Sequence, residues 1–203
     1  MSLADKTVLI VGCGGLGCNV VEYLGRAGIG RLIILDGDVF EESNLNRQLY
    51  CDKSTLGRAK VEVASEQLAL ISKAEVIAIK ERFPTIKLDK YRELIDVVVD
   101  CLDNVDSRLL LEKFATEINV PLVHGAICGR IGQATTVFPS DGTLMKLYNN
   151  KATKIIPTMA FVPSLIASIE AAEVVNVLNN KSSLHGSLLL IDLDNITFTK
   201  VKL

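Results

Sequence analysis

The chain lacks most of the features that would mark it for a membrane, a nucleic acid, a metal or an oxidising compartment. It has no long uninterrupted apolar segment, since even Val162 to Leu178 carries Ser164, Ser168, Glu170, Glu173 and Asn176. That argues against a membrane span, and no secretory signal pattern is present. Lys and Arg nowhere cluster into a patch, and 22 basic against 24 acidic residues leave a formal net charge of -2. Nothing electrostatic therefore points to a nucleic-acid partner. The five cysteines, Cys13, Cys18, Cys51, Cys101 and Cys128, form no C-x-x-C pair, and the two histidines, His124 and His185, lie apart from any such pair. No zinc site is expected from that spacing. An odd number of cysteines in apolar segments reads as reduced packing thiols rather than disulfides, which places the protein in the cytoplasm. Linkers, internal repeats and low-complexity tracts are also missing, so residues 1–203 read as one domain. With 49% apolar and 23% charged residues, the composition is that of an ordinary globular protein.

What is present is an alternation of strands and helices. Thr7–Val11 reads as a strand, Gly15–Ala27 as a helix and Arg31–Leu35 as a second strand. A polar stretch from Asp36 to Thr55 follows without periodicity. Gly57–Ile71 then shows a helical pattern, with Val61, Ala64, Leu68 and Ile71 on one face. Glu75–Ile79 reads as a strand, Leu88–Leu94 as a short helix, and the β-branched run Asp96–Cys101 as a strand buried on both faces. Asp106–Asn119 is helical and Pro121–His124 is the next strand. This rhythm predicts an α/β fold with a Rossmann-like, doubly wound, mainly parallel sheet. The rhythm then changes. Gly132–Phe138 alternates as a strand, Val162–Leu178 reads as a helix, and Ser187–Asp192 with Thr197–Lys202 reads as a closing antiparallel hairpin turned at Asp194-Asn195.

The first strand runs into Gly12-Cys13-Gly14-Gly15-Leu16-Gly17, which opens the first helix. Such a turn lets backbone N–H groups approach a phosphate at a helix N-terminus. Asp36 closes the second strand about twenty residues on, where a carboxylate accepts ribose hydroxyls. The fingerprint alone fits a dinucleotide and an NAD-dependent oxidoreductase as well as an ATP site. Glycines that merely tighten a turn would look the same.

Three further motifs narrow the choice: Asp36-Gly37-Asp38-Val39 leading to Asn44-Leu45-Asn46-Arg47-Gln48, Lys60 at the start of the next helix, and Cys101-Leu102-Asp103-Asn104 followed by Arg108. In this order, and over nearly the whole chain, the set resembles the ThiF/MoeB/HesA family, relatives of the adenylation domain of ubiquitin-activating enzymes. The resemblance implies that Gly12, Gly14, Gly15, Gly17, Asp36, Asp38, Asn44, Gln48, Asn104 and Arg108 bind ATP. It implies that Arg47, Lys60 and Asp103 carry the catalysis, with Asp103 holding Mg²⁺. The residue chemistry suits those roles. Arg47 is a planar, permanently charged fork for phosphate oxygens, Lys60 a compact ammonium, and Asp103 a carboxylate at the end of a central strand. Each also has an ordinary reading: Arg47 in a surface ion pair, and Asp103 or Asn104 as the cap of the helix that follows.

The implied reaction is adenylation of the C-terminal glycine carboxylate of a small ubiquitin-like sulfur carrier ending in Gly-Gly, giving an acyl adenylate and pyrophosphate. A carboxylate is already ionised at neutral pH, so no general base is needed, and His124 reads as a structural residue. Relatives imply a homodimer, for which Ile127–Phe138 and Met159–Leu178 offer apolar segments. Two departures stand out. The first strand starts near Thr7, which leaves no room for the N-terminal helix whose arginine reaches the partner's site in many relatives. Either residues at the start have been replaced, or Arg26 or Arg130 substitutes. Ser140–Val162 is short and holds no cysteine, so neither zinc nor a thioester step is expected there. An oxidoreductase, or a degenerate subunit that binds the carrier without turnover, stands as the alternative.

Overall fold

The sheet is built from short strands whose side chains alternate between two cores. In the computed structural model, which describes residues 2–86, 88–148 and 156–203, β1 (Thr7–Val11) is buried at every position. Val8 and Ile10 point into one apolar cluster and Leu9 and Val11 into the other. β2 (Arg31–Leu35) and β4 (Val97–Asp100) split in the same way, as the period of two requires of a strand covered on both faces. With β3 (Glu75–Ile79), β5 (Leu122–Cys128), β6 (Ile131–Val137), β7 (Ser187–Asp192) and β8 (Thr197–Lys202), they form one eight-stranded sheet ordered β3-β2-β1-β4-β5-β6-β7-β8. β3, β2, β1, β4 and β5 run parallel, and the last three strands join them antiparallel. The expected α/β, mainly parallel sheet with antiparallel C-terminal strands is thus what forms.

One apolar cluster is covered by α1 (Gly15–Ala27), α2 (Lys60–Ala69) and α5 (Phe161–Leu178), the other by α3 (Val105–Glu117) and α4 (Thr143–Tyr148). α1 ends at Gly28, whose φ of 88° is the left-handed stop that glycine adopts without cost. α5 is the one described helix long and apolar enough to cross a membrane. Here its Val162, Ile166, Ala167 and Val174 fill the core, and it packs on α1, β5 and β6. Chain order leaves β1 for β2 and β3, then returns to β4 on β1's other side. The C-terminal ends of β1 and β4 therefore flank the crevice in which open α/β sheets bind ligands.

Several boundaries differ from the sequence reading for identifiable reasons. α2 begins at Lys60 rather than Gly57, because Gly57 holds a φ of +78° and Ala59 is extended, bridging to Val39. Residues 89–94 form a 3-10 segment. β5 continues past His124 to Cys128, since β6 pairs with it along its whole length. α4 has no counterpart in the sequence reading. Six residues are too few to show a helical period, and its first amides are satisfied from a distance, with Leu144 and Met145 N–H donating to the Glu112 carboxylate at 2.8 and 3.2 Å. Residues 149–155 of the cysteine-free stretch lie outside the described residues.

Two acids are buried in α5. Glu173 accepts from Ser182 Oγ and from the Ser183 and Leu184 amides, closing the loop after the helix. Glu170 is wholly buried, and neither of its oxygens has a hydrogen-bond partner among the described residues. It lies against Gly125, where any side chain would collide with the carboxyl group. Burial first, and then the nearby Asp100 carboxylate, hold its pKa well above the usual carboxylate range. Burial therefore favours the protonated form of Glu170 in the native fold. A native pKa raised above the unfolded one favours folding below the ordinary Glu pKa, and that advantage is lost as pH rises toward the native value. Relative to Glu170→Gln, which cannot ionise, the wild type should lose thermal stability as pH climbs above the ordinary Glu pKa toward the native one. Each unit of elevation is worth about 1.4 kcal/mol, or roughly 3–6 °C in Tm for a chain of this size. A difference in Tm that does not change with pH would contradict a protonated Glu170.

Candidate active site

A cleft of about 740 Å³ opens at the C-terminal ends of β1, β2 and β4. Its floor is the glycine turn. Gly12 has φ +98°, and a Cβ there would strike the Cys101 carbonyl, so the β1 turn and the β4 turn pass each other as closely as backbone allows. Gly14 and Gly15 line the cleft at the N-terminus of α1. Gly17 does not. It sits one turn into the helix, where any Cβ would collide with the Gly12 carbonyl, so its role is to let α1 pack on its own turn rather than to contact a ligand. Cys13 and Cys18 brace the same turn from behind, both fully buried, with Cys18 Sγ donating to the Cys13 carbonyl at 3.0 Å.

Asp36 lies on the cleft wall and is already at work. One carboxylate oxygen accepts the Cys13 amide at 2.7 Å and the other the Asp38 amide at 2.8 Å. The acid that would hold a ribose thus also pins the glycine turn, and each oxygen keeps a second lone pair for a ligand. Asp38 is shared between two cations, Arg82 at 2.6 Å and Lys60 at 3.3 Å. The longer contact is the weaker one. Lys60 lines the cleft with a side chain only 8% exposed, and Asp38 offsets part of the cost of burying its charge.

The polar stretch after β2 delivers two residues to the opposite rim. Arg47 lines the cleft, with one terminal nitrogen fixed by the Ser43 carbonyl at 2.7 Å and Asn46 Oδ1 at 2.8 Å. Gln48 lines it too. It is buried, and its Oε1 has no partner among the described residues, an orphan that a bound ligand would satisfy. Asn44 does not reach the cleft. Its Oδ1 accepts the Glu41 amide at 3.1 Å and its amide donates to Ser43 Oγ, so it is spent on closing the 42–44 turn.

After β4, Asp103 lines the cleft, with one oxygen accepting from Asn104 Nδ2 at 3.2 Å. Asn104 lines it as well but is the N-cap of α3, accepting the Ser107 amide at 2.9 Å. Arg108 borders the cleft, but its guanidinium is committed. It donates to the Leu102 carbonyl and to the Tyr148 hydroxyl, both at 2.6 Å, and pairs with buried Asp100 at 3.8 Å. It is a strut for the β4 turn rather than an open phosphate contact. Arg26 and Arg130, the two arginines weighed in place of a relative's N-terminal one, do not line the cleft. Arg26 pairs with Glu22 on α1, and Arg130 binds the Leu193 carbonyl and Asp194.

Sequence reasoning overlooked Arg82, Gln133 and Tyr148, all on the cleft wall. Arg82 follows the end of β3, a position at the binding edge of the sheet that could have singled it out. Gln133 and Tyr148 carried no signal, because their placement depends on the β5–β6 pairing and on α4. His124 is wholly buried and hydrogen-bonded, in keeping with a structural residue. Among the described residues, no group of three or more His, Cys, Asp or Glu side chains converges as a metal cage would.

Comparison with known proteins agrees with this geometry. The chain is 34% identical over 210 residues to the SAMP-activating enzyme E1 of Haloferax volcanii, covering 98% of this chain and 77% of that one. It is 35% identical over 211 residues to the molybdopterin-synthase adenylyltransferase of Haemophilus influenzae, covering 99% and 86%. Among solved structures, MccB of E. coli in complex with MccA-N7isoASN superposes with a TM-score of 0.82 at 22% identity, over 98% of this chain but only 65% of that one. The likeness to MccB is one of fold. The ThiF family profile matches residues 1–203 from end to end, and the chain belongs to the ThiF family.

Proposed function

We propose that this chain is an ATP- and Mg²⁺-dependent adenylyltransferase. It activates the C-terminal glycine carboxylate of a small ubiquitin-like sulfur carrier ending in Gly-Gly, for sulfur transfer in thiamine, molybdopterin or related biosynthesis. One observation carries the reading. A single cleft gathers a glycine turn at a helix N-terminus, a ribose-height acid, two cations from separate segments and a strand-end carboxylate. A hydride-transfer enzyme has no use for Arg47, Lys60 and Asp103 together, whereas a triphosphate does, and an NAD-dependent oxidoreductase is not favoured.

The residues divide the work by charge. Gly14, Gly15 and the N-terminus of α1 offer backbone donors and a partial positive charge to phosphate oxygens. Asp36 takes the ribose, and Arg47 and Lys60 neutralise the charge that builds as the α-phosphate is attacked. Asp103 fits Mg²⁺, a cation that takes one or two protein carboxylates and completes its shell with phosphates and water rather than a full protein cage. When bound, the ion would screen the pyrophosphate leaving group. The substrate carboxylate needs no base, so catalysis amounts to alignment and electrostatics.

A homodimer and a cytoplasmic site complete the proposal. Exposed Leu45, Leu49, Met159 and Phe161 supply apolar surface beside the cleft, and the Asn46 side chain ties their two segments together by donating to the Thr158 carbonyl at 3.3 Å. Buried Cys13, Cys18 and Cys51 are reduced thiols, as a cytoplasmic protein keeps them.

ATP–pyrophosphate exchange, driven by a carrier ending in Gly-Gly, tests the reading. Exchange should require both carrier and Mg²⁺; tight carrier binding with no exchange would sink it in favour of a degenerate subunit. Asp103→Ala should lower exchange by about 100- to 1,000-fold while the circular dichroism spectrum and Tm stay close to wild type. Asp36→Ala should raise the KM for ATP by roughly tenfold, the equivalent of about 1.4 kcal/mol of binding, and an unchanged KM would remove Asp36 from the ribose. For the dimer, sedimentation should show concentration-dependent association that Phe161→Glu abolishes.

A further inference from the structure

Beneath the β4 end of the cleft lies a polar cluster that none of the roles above employs. His124 on β5 places Nδ1 2.7 Å from Asp100 Oδ2 and Nε2 3.0 Å from the Tyr148 hydroxyl. Both His124 and Asp100 are wholly buried. Burial lowers the histidine pKa more than Asp100 raises it, so the imidazole is neutral, with one N–H and one lone pair. The Asp100 carboxylate only accepts, so Nδ1 carries the proton and Nε2 is the acceptor. Tyr148 therefore donates its O–H to Nε2. The tyrosine oxygen in turn accepts from Arg108 at 2.6 Å and from Gln133 Nε2 at 2.8 Å. Gln133 Nε2 also lies 3.2 Å from His124 Nε2.

The chain of contacts closes on itself. Arg108 reaches the Leu102 carbonyl at 2.6 Å and Asp100 at 3.8 Å, and Asp100 Oδ1 accepts the Leu102 amide at 3.0 Å. Four elements, β4, β5, α3 and α4, are thereby tied to the backbone immediately before Asp103. Asp103 itself is exposed, and the contact that steadies its side chain is Asn104, its neighbour in sequence. The placement of its carboxylate thus depends on how firmly the 100–102 backbone is held. Removing the Tyr148 hydroxyl would leave an arginine N–H unmatched inside the fold and the histidine lone pair to Gln133 Nε2 at 3.2 Å, and Arg108 would be free to release the Leu102 carbonyl.

We propose that Tyr148 is a positioning residue of the adenylation site, closing the circuit Asp100–His124–Tyr148–Arg108 that holds the turn presenting Asp103 to the cleft. The inference rests on the reading of Asp103 as the site carboxylate. Tyr148→Phe should lower kcat for carrier-dependent exchange by about 10- to 100-fold, the scale of a small misplacement. The KM for ATP should change little, since the glycine turn, Asp36 and Lys60 are untouched. Arg108→Lys should act through the same strut, so the double variant should lose no more than the worse single one. A readout independent of activity comes from ¹⁵N-histidine NMR of the wild-type protein. His124 should show a protonated Nδ1 and a bare, hydrogen-bonded Nε2, with the Nε2 shift altered in Tyr148→Phe. The reverse tautomer, losses that multiply in the double variant, or wild-type kcat in Tyr148→Phe while Asp103→Ala is inactive would each overturn the circuit. Full exchange in Asp103→Ala would overturn the site reading, and the inference with it, whatever tautomer His124 adopts.

Discussion

Everything in the cleft depends on how closely two turns pass each other. The backbone at Gly12 runs under the Cys101 carbonyl with no space for a side chain, and the same glycine carbonyl is approached from the other side by Gly17 in the first turn of α1. Three segments are thereby stacked at van der Waals distance: the end of β1, the start of α1 and the end of β4. The glycine turn and the Asp103 turn, far apart in sequence, become opposite walls of one crevice. The parallel ladder sets their height, because Val11 lies in register with Leu35 on one side and Asp100 on the other. Asp36 and Cys101 then leave their strands level with Gly12. The geometry of the cleft is in this sense a property of strand register, and side chains refine what the backbone has already placed.

The charges follow a pattern that serves an anionic ligand without a surplus of base. Lys60, Arg82 and Asp38 form one group, Arg108 and Asp100 another, and Arg47 stands on its own carbonyl support. Pairing each buried cation with an acid keeps the cost of burial low, since an unpaired charge in the interior is far more expensive than a paired one. The protein as a whole is slightly acidic, with a net charge of -2. The positive charge is therefore local to the cleft and not a field spread over the surface.

How much of this could be read from the chain varied with the range of the interaction. The strands Thr7–Val11, Arg31–Leu35, Glu75–Ile79, Ser187–Asp192 and Thr197–Lys202, and the helix Gly15–Ala27, have the bounds expected from their apolar patterns. Local patterning decides them. The roles of Asn44, Asn104 and Arg108 were less legible, because a side chain's use by its own backbone competes with its use by a ligand. An asparagine at a helix start is claimed by the nearest amide, and a buried arginine by whatever carbonyl it can reach. Tyr148, Gln133 and the orphaned Glu170 were beyond sequence reasoning. Their meaning lies in contacts between α4, β5, β6 and α5 that no spacing rule encodes.

The contact between Gly125 and Glu170 has an evolutionary consequence. The carboxyl group occupies the volume that a Cβ at position 125 would need. The two positions are therefore not free to vary one at a time. A larger residue on the strand requires the Glu170 carboxyl group to move aside or the helix residue to shorten, and a shortened helix residue leaves a void until the strand fills it. Across descendants of this sequence, the strand position and the helix position should drift as a matched pair, with glycine favoured at 125 while the Glu170 carboxyl group keeps its place.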